Sequence, residues 1–181
     1  LGPDHPDTLT SRNNLASAYQ ATGRLDKAIT LYQQNLKDFE DLLGPDHPDT
    51  LTSRNNLASA YQATGRLDKA ITLYQQNLED RTRILGPHHP DTLTSRNNLA
   101  GAYWQADRLD EAITLYEQNL TDRTRILGPH HPSTLTTLHN LASAYRAAGR
   151  FEDADKLFEA SNTEDSEQDG TEDNPDQETD S

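Results

Sequence analysis

The chain has 181 residues, only 32% of them hydrophobic, no cysteine and a net charge of −14, a composition that favours a thin array of stacked layers over one thick globular core. The absence of cysteine excludes disulfides and thiolate chemistry, and so acidic a chain is a poor binder of phosphate backbones, so we expect no nucleic-acid partner. We see no apolar run long enough to cross a membrane and no secretion leader. We therefore expect a cytoplasmic protein that contacts no membrane.

The sequence repeats with a fixed period. The letters LGP begin at Leu1, Leu43, Leu85 and Leu127, which are 42 residues apart, and residues 1–36 are identical to residues 43–78. A fixed period of this length is typical of a stacked array. We divide the chain into repeats 1–42, 43–84, 85–126 and 127–161.

Each repeat is predicted to contain two helices. The first, helix A, begins near Pro6, a residue that suits a first helical turn, and ends before Gly23, which favours the left-handed conformation of a helix C-terminus. The second, helix B, follows from Leu25, and the GPDHP segment ends it, because two close prolines stop a helix. The apolar stripe of helix B comprises Leu25, Ala28, Ile29, Tyr32, Leu36, Phe39 and Leu43.

One face of helix A is predicted to pack against its neighbours. It carries Thr8, Arg12, Leu15, Ala16 and Tyr19. A single helical hairpin cannot bury both stripes alone, but stacked copies bury them against each other. The sequence therefore predicts an all-α solenoid.

The spacing of Leu15, Ala16, Tyr19, Gly23 and Leu25 resembles the tetratricopeptide repeat signature, and the words HPDTLT, NNLA and AITLYQQNL with a period of 42 resemble the kinesin-light-chain subtype. Similar arrays form the C-terminal arms of bacterial signalling ATPases. The resemblance covers residues 1–161. It implies a right-handed superhelix of antiparallel helix pairs, about four repeats long, in which the A helices line a concave groove.

Three kinds of residue depart from the tetratricopeptide pattern. Arginine occupies an apolar consensus position at residues 12, 54 and 96, and we expect each guanidinium to reach a carboxylate or a tyrosine face. Asn35, with its copies Asn77 and Asn119, replaces a consensus alanine. Asp107 replaces the turn glycine of repeat three and tolerates left-handed geometry better than most residues.

The stripe of helix A opposite its packed face is polar and uncharged. In the first repeat it consists of Thr10, Asn13, Asn14, Ser17, Gln20 and Ala21. An amide offers one donor and one acceptor group, which match a peptide unit of an extended chain. The resemblance implies that Asn14, Asn56, Asn98 and Asn140 hold the backbone of a bound peptide, with Asn13, Asn55, Asn97 and His139 one residue before them. The alternative is that these amides bond to the adjacent repeat and set the stacking.

One position of this stripe changes along the array. Gln20 and Gln62 are followed by Trp104 and then by Arg146, so this position is predicted to select side chains of a partner. Tryptophan is a frequent anchor at protein interfaces. The alternative is that the Trp104 ring covers the next helix.

Histidines occur mainly in the HP linkers, one repeat apart, and this spacing does not predict a converging metal site. We interpret them as polar residues of helix starts. No glycine-rich phosphate loop and no arrangement of a catalytic triad is present. We therefore expect neither an enzyme nor a bound cofactor or metal.

The pattern ends at Ser161. Residues 162–181 contain nine acidic residues and no lysine or arginine, which leaves a net charge of −5 on residues 1–161. We expect the last B helix to be cut short and residues 162–181 to form a disordered acidic tail. This tail is either a solvated end or a segment that folds back on the groove.

The function predicted from these features is protein–protein interaction, with a peptide or helical segment of a partner held in the concave groove. One alternative is a regulatory or sensor arm of a multidomain signalling ATPase or transcription regulator. A further alternative is a self-assembling scaffold that associates through its exposed array ends.

Overall fold

The structure, a computed structural model, describes Gly2 and residues 5–168, with side chains described up to residue 159. Within that part of the chain there are eight α-helices and no strand. The A helices are α1 (Pro6–Ala21), α3 (Pro48–Ala63), α5 (Pro90–Gln105) and α7 (Pro132–Ala147). The B helices are α2 (Leu25–Leu43), α4 (Leu67–Leu85), α6 (Leu109–Leu127) and α8 (Phe151–Gln168). The prediction of four all-α helix pairs is confirmed.

The linker histidines cap the A helices. In each repeat the Nδ1 atom of the histidine before the proline accepts a hydrogen bond from the backbone N–H two residues later, at 3.2 Å for His5, His47 and His89 and at 3.1 Å for His131. An N-cap acceptor satisfies one of the free N–H groups of the first helical turn. The interpretation of these histidines as helix-start residues is confirmed.

The short turns between helices A and B require a left-handed residue. Gly23 has φ 74° and Asp107, the aspartate at the glycine position of repeat three, has φ 60°. Both predictions about this turn are confirmed, because each residue lies in the left-handed region that few side chains tolerate.

Each helix packs against the one that follows it, so the four pairs stack in chain order. The core runs continuously through the stack and is built from alanine, isoleucine and tyrosine at repeated positions, such as Ala58, Ile71 and Tyr61. Small alanines and large tyrosine rings thus belong to one packed core. Tyr61, the copy of Tyr19 on the predicted packed face of helix A, is buried.

Two expectations about the packed face of helix A are corrected. Leu15 is 48% exposed, although its copies Leu57, Leu99 and Leu141 are buried, because within the described residues no helix precedes α1 to cover it. Leu9 is fully buried, although the predicted stripe omitted it. An A helix packs against helices on more than one side, so a single-stripe prediction misses part of its core.

The last helix is longer than predicted. α8 continues to Gln168, so the expectation that it stops near Ser161 is wrong. No glycine or proline lies between residues 151 and 168, and the polar residues there do not break a helix by themselves. Residues 169–181, the rest of the predicted acidic tail, lie outside the described residues.

A membrane span would need a long apolar helix. No helix among the described residues combines the required length and hydrophobicity.

Candidate functional site

The paired asparagines of neighbouring A helices are joined by hydrogen bonds. Asn56 Nδ2 donates to Asn13 Oδ1 at 3.1 Å, and Asn98 Nδ2 donates to Asn55 Oδ1 at 3.0 Å. Both bonds link one repeat to the next, and all four side chains are half-buried. We call this row of amides the asparagine ladder; it comprises Asn13, Asn14, Asn55, Asn56, Asn97, Asn98 and Asn140.

The bonds of the ladder match the alternative in which the amides set the stacking. Each bond uses one of the two N–H groups of its donor and one side of its acceptor oxygen. The second side-chain N–H and the side-chain carbonyl oxygen of Asn56 and of Asn98 make no hydrogen bond with a described residue. A structural role and a binding role are therefore compatible, and the predicted peptide contact stays a prediction.

The ladder changes at both ends of the array. Asn14 is exposed, since within the described residues no repeat precedes it. At the other end, Asn97 Oδ1 accepts from Thr137 Oγ1 at 3.4 Å and is not bonded to Asn140. His139, at the position of Asn97, donates from Nδ1 to the carbonyl oxygen of Leu135 on its own helix, 2.7 Å away. The structure thus joins the amides across the first three repeats and not between the third repeat and the fourth.

The variable position of the stripe has four different surroundings. Gln20 Nε2 donates to Ser59 Oγ of the next repeat at 3.1 Å, whereas Gln62 Oε1 accepts from Tyr74 Oη in its own repeat at 3.1 Å. Trp104 is 42% exposed. Arg146 is exposed and lies 5.7 Å from the centre of the Phe158 ring on α8. Trp104 therefore keeps a large apolar surface open to solvent, as an anchor would.

The unusual arginines of helix A reach carboxylates of helix B, as predicted. Arg12 pairs with Asp38, Arg54 with Asp80 at 2.6 Å and Arg96 with Asp122 at 2.7 Å. Burial alone would raise the pKa of Asp122, but the hydrogen bond and charge of Arg96 lower it. These pairs join the two helices of the first three repeats and neutralise the arginines.

Tyrosines at the ends of the A helices bond to the preceding repeat. Gln33 Nε2 donates to Tyr61 Oη, and Gln75 Nε2 donates to Tyr103 Oη, both at 2.8 Å. In the last repeat Tyr145 Oη donates to a carboxylate, that of Glu117, at 2.6 Å. Burial, together with this carboxylate, raises the pKa of Tyr145 to about 12.

The described residues contain no group of three or more histidine, aspartate and glutamate side chains arranged to hold a metal. The histidine pairs lie one repeat apart, and the second histidine of each pair, His89 or His131, caps a helix. The arrangement of this surface is suited to hydrogen bonding with a polypeptide and to apolar contact at Trp104.

The comparison with protein families agrees with this geometry. The model of the tetratricopeptide repeat family matches residues 7–76, 52–121 and 96–161. The chain belongs to the tetratricopeptide repeat family. Proteins of this family are generally protein-interaction modules, and their kinesin light chain-like members are typically non-enzymatic scaffolds. No match was found among curated protein sequences.

Solved tetratricopeptide structures of the kinesin-light-chain type superpose well on this chain. A point variant of a kinesin light chain-like protein of Podosopora anserina with nearly identical repeats is 35% identical, with a TM-score of 0.79, and 90% of this chain covers 77% of that one. A second structure of a Podosopora anserina protein of the same description is 34% identical over 94% and 81%, also with a TM-score of 0.79. BtubC (BKLC) of P. vanneervenii is 26% identical over 97% and 70%, again at 0.79.

The structure also shows polar residues of this tetratricopeptide array that sequence reasoning missed. Arg81 and Arg123, at the position of Phe39, are buried, and burial lowers the pKa of both guanidinium groups. Asn35, whose replacement of a consensus alanine was noted, is fully buried, as are its copies Asn77 and Asn119. The sequence contained a sign of these buried arginines. Phenylalanine occupies this position in repeat one and arginine occupies it in repeats two and three, which indicates that the contact between neighbouring repeats changes along the array.

Proposed function

We propose that this tetratricopeptide array binds an extended or helical segment of a partner protein along the groove lined by its A helices. The observation that carries the proposal is the asparagine ladder, in which half-buried amides of adjacent repeats are held in register by hydrogen bonds of 3.0 to 3.1 Å. The array would act as a binding module without catalytic activity. A cytoplasmic location is part of the same proposal.

The ladder supports this function because its amides are already oriented. Asn56 and Asn98 lie one repeat apart, and the bond that each donates to the preceding repeat restricts its rotamers. A partner then meets a fixed carbonyl and a fixed N–H instead of two mobile side chains. Binding groups that are ordered beforehand lose less conformational entropy when the complex forms.

The A helices also have the arrangement that a groove needs. α5 and α7 contact each other directly, in addition to their packing on the B helices, and the ladder joins α1 to α3 and α3 to α5. Adjacent A helices therefore form a continuous surface. Trp104 gives this surface an exposed aromatic ring next to uncharged amides, which supports a partner segment that places one apolar side chain on α5.

The test begins with a peptide selected by display against the intact chain and titrated by calorimetry. Asn98→Ala should weaken binding by roughly five- to hundredfold, because a peptide group in a partly dried groove loses its hydrogen-bond partner. The same substitution should lower the free energy of unfolding by about 1 kcal/mol through the lost bond to Asn55. Trp104→Ala should weaken only peptides that carry a matching apolar side chain.

Asn55→Ala is the matched control for this experiment. It removes the same hydrogen bond between repeats as Asn98→Ala but leaves the proposed clamp in place. We expect equal losses of stability and a smaller loss of affinity. Equal affinity for both variants and the parent would show that the ladder only sets the stacking. Light scattering during the titration separates peptide binding from self-association of the array.

A further inference from the structure

The junctions between repeats differ at one buried position of helix B. Phe39 occupies it in repeat one, and Arg81 and Arg123 occupy it in repeats two and three. All three side chains are buried. This position therefore carries either an aromatic ring or a guanidinium in the same place of an otherwise similar junction.

The two arginines bind the next A helix in the same way. Arg81 Nη1 donates to the Asp91 carbonyl oxygen at 3.0 Å and to Ser95 Oγ at 3.2 Å. Arg123 Nη1 makes the corresponding pair of bonds to the Ser133 carbonyl oxygen at 2.7 Å and to Thr137 Oγ1 at 3.1 Å. One first-turn carbonyl and one hydroxyl four residues later thus form a guanidinium subsite that occurs twice in the chain.

The first junction keeps the acceptors of this subsite but has no guanidinium of its own. Asp49 and Ser53 stand at the positions of Asp91 and Ser95, and Ser53 is 1% exposed. Its Oγ has no hydrogen-bond partner among the described residues. A buried hydroxyl without a partner costs free energy that a ligand would recover.

A cavity of about 120 Å³ lies at this point. For comparison, an engineered cavity of roughly 150 Å³ in another protein accepts a benzene ring. The space is therefore sufficient for a planar guanidinium. The residues around it are Thr10, Asn13, Phe39, Asp49, Thr52 and Ser53.

We propose that this cavity binds an arginine side chain of the partner segment, with its guanidinium placed on Asp49 and Ser53 as Arg81 is placed on Asp91 and Ser95. The Asp49 carbonyl and the Ser53 hydroxyl accept its N–H groups. The Phe39 ring offers a face for stacking, which a guanidinium uses better than an ammonium does. The negative charge of the array favours a cationic side chain.

The cavity is placed where the proposed partner would pass. Thr10 on α1 and Thr52 on α3 are exposed at its rim, and Asn13, which also lines it, belongs to the asparagine ladder. A segment that contacts the ladder would therefore bring a side chain to the opening. This assignment rests on the proposed function for the identity of the partner, but the cavity can be tested without a peptide.

The probe is N-ethylguanidinium, the end of an arginine side chain, titrated into the isotope-labelled intact chain and followed by the amide resonances of the protein. We expect saturable shifts centred on Asp49 and Ser53, with no comparable shifts at Asp91 and Ser95. N-ethylammonium should bind roughly fivefold or more weakly, because it lacks the planar fork of donors.

Two reciprocal variants provide the control. Phe39→Arg supplies the chain's own guanidinium, as at the next two junctions, and should weaken probe binding by roughly tenfold or more. Arg81→Phe gives the second junction the residue of the first and should create a second set of shifts, at Asp91 and Ser95. Both exchanges place residues that similar junctions of this chain already hold, and the amide spectrum reports whether each variant is folded.

Three results would overturn the assignment: no saturable shift of the parent, equal binding by the parent and Phe39→Arg, or equal binding of the two probes. Asn98→Ala should leave probe binding unchanged. A chain that binds the probe but no peptide would disprove the proposed groove function and retain the guanidinium site. A chain that binds the peptide but not the probe would disprove the guanidinium site and retain the proposed groove function.

Discussion

Repeats one and two contain the same 36-residue sequence, at residues 1–36 and 43–78, but these two copies have different surroundings. Leu15 is 48% exposed, whereas its copy Leu57 is 5% exposed. Asn14 is exposed, whereas Asn56 is half-buried and bonded to the preceding repeat. Identical residues thus reach different burial because the second copy has a described repeat on each side. In a stacked array, the burial of a side chain depends more on the neighbouring repeats than on the sequence of its own repeat.

Matched substitutions in the two copies test this comparison, and the largest difference is expected for the leucines. Leu57→Ala should lower the free energy of unfolding by about 2–4 kcal/mol, as removal of a buried leucine side chain does. Leu15→Ala should cost less than about 1 kcal/mol, because half of that side chain already faces water. Urea unfolding followed by circular dichroism measures both. Equal losses would mean that α1 is covered as well as α3 is.

The arginine pairs should give a smaller difference. Arg54 contacts two carboxylates, Asp80 at 2.6 Å and Glu40 at 3.3 Å, and is largely buried, whereas Arg12 is more exposed and pairs with Asp38. We expect Arg54→Ala to cost about 2 kcal/mol and Arg12→Ala about 1 kcal/mol or less, between the values for buried and surface ion pairs.

Double-mutant cycles separate the charge interaction from lost packing. Asp80→Asn combined with Arg54→Ala should show a larger coupling energy than Asp38→Asn combined with Arg12→Ala. Coupling of the same size at both sites would contradict the comparison.

A buried tyrosine present in both copies, Tyr32 and Tyr74, gives the smallest effect, which is a dependence of stability on pH that begins only above about pH 10. Burial raises the pKa of Tyr74 to about 12 against an opposing hydrogen bond with Ser59, and it raises the pKa of Tyr32. Because the raised pKa favours the neutral folded form, the stabilisation is complete below pH 10 and is lost as the pH rises toward 12. Ultraviolet titration of tyrosinate should assign a late transition to Tyr74 that Tyr74→Phe removes.

Unfolding of the Tyr74→Phe variant should accordingly depend less on pH above 10 than unfolding of the parent. Tyr32→Phe is the matched control for the first copy. A transition of Tyr74 at the ordinary tyrosine pKa would contradict this prediction, because it would show that water reaches the ring.

Much of the fold could be predicted from the sequence because the signals are local and repeated. Gly23 and Asp107 mark the tight turns, the HP linkers mark the helix starts, and the period relates every copy to the next. The failures were at the ends. Leu15 was expected to be buried, although no described helix precedes α1 to cover it. The helix α8 was expected to stop where the apolar pattern stops, although nothing there prevents a helix from continuing to Gln168.

The candidate site was predictable in position but not in detail. The polar stripe of helix A indicated Asn56 and Asn98 as its central residues, yet only the stacked structure shows which amide donates to which across the repeat boundary. The change from Phe39 to Arg81 is visible in the sequence. Its consequence, a subsite filled in one junction and a cavity in another, depends on where the next helix places its carbonyl and hydroxyl.

The sequence by itself determined the helices, their order and the family, because turn geometry, capping and apolar spacing act within about one repeat. The tertiary structure decided burial, the ladder bonds, the arginine pairs and the cavity beside Phe39, because each of these depends on two helices that are distant in the chain. The identical residues 1–36 and 43–78 show the physical reason directly. The same local forces build the same two helices twice, and only the neighbouring repeats make their side chains different.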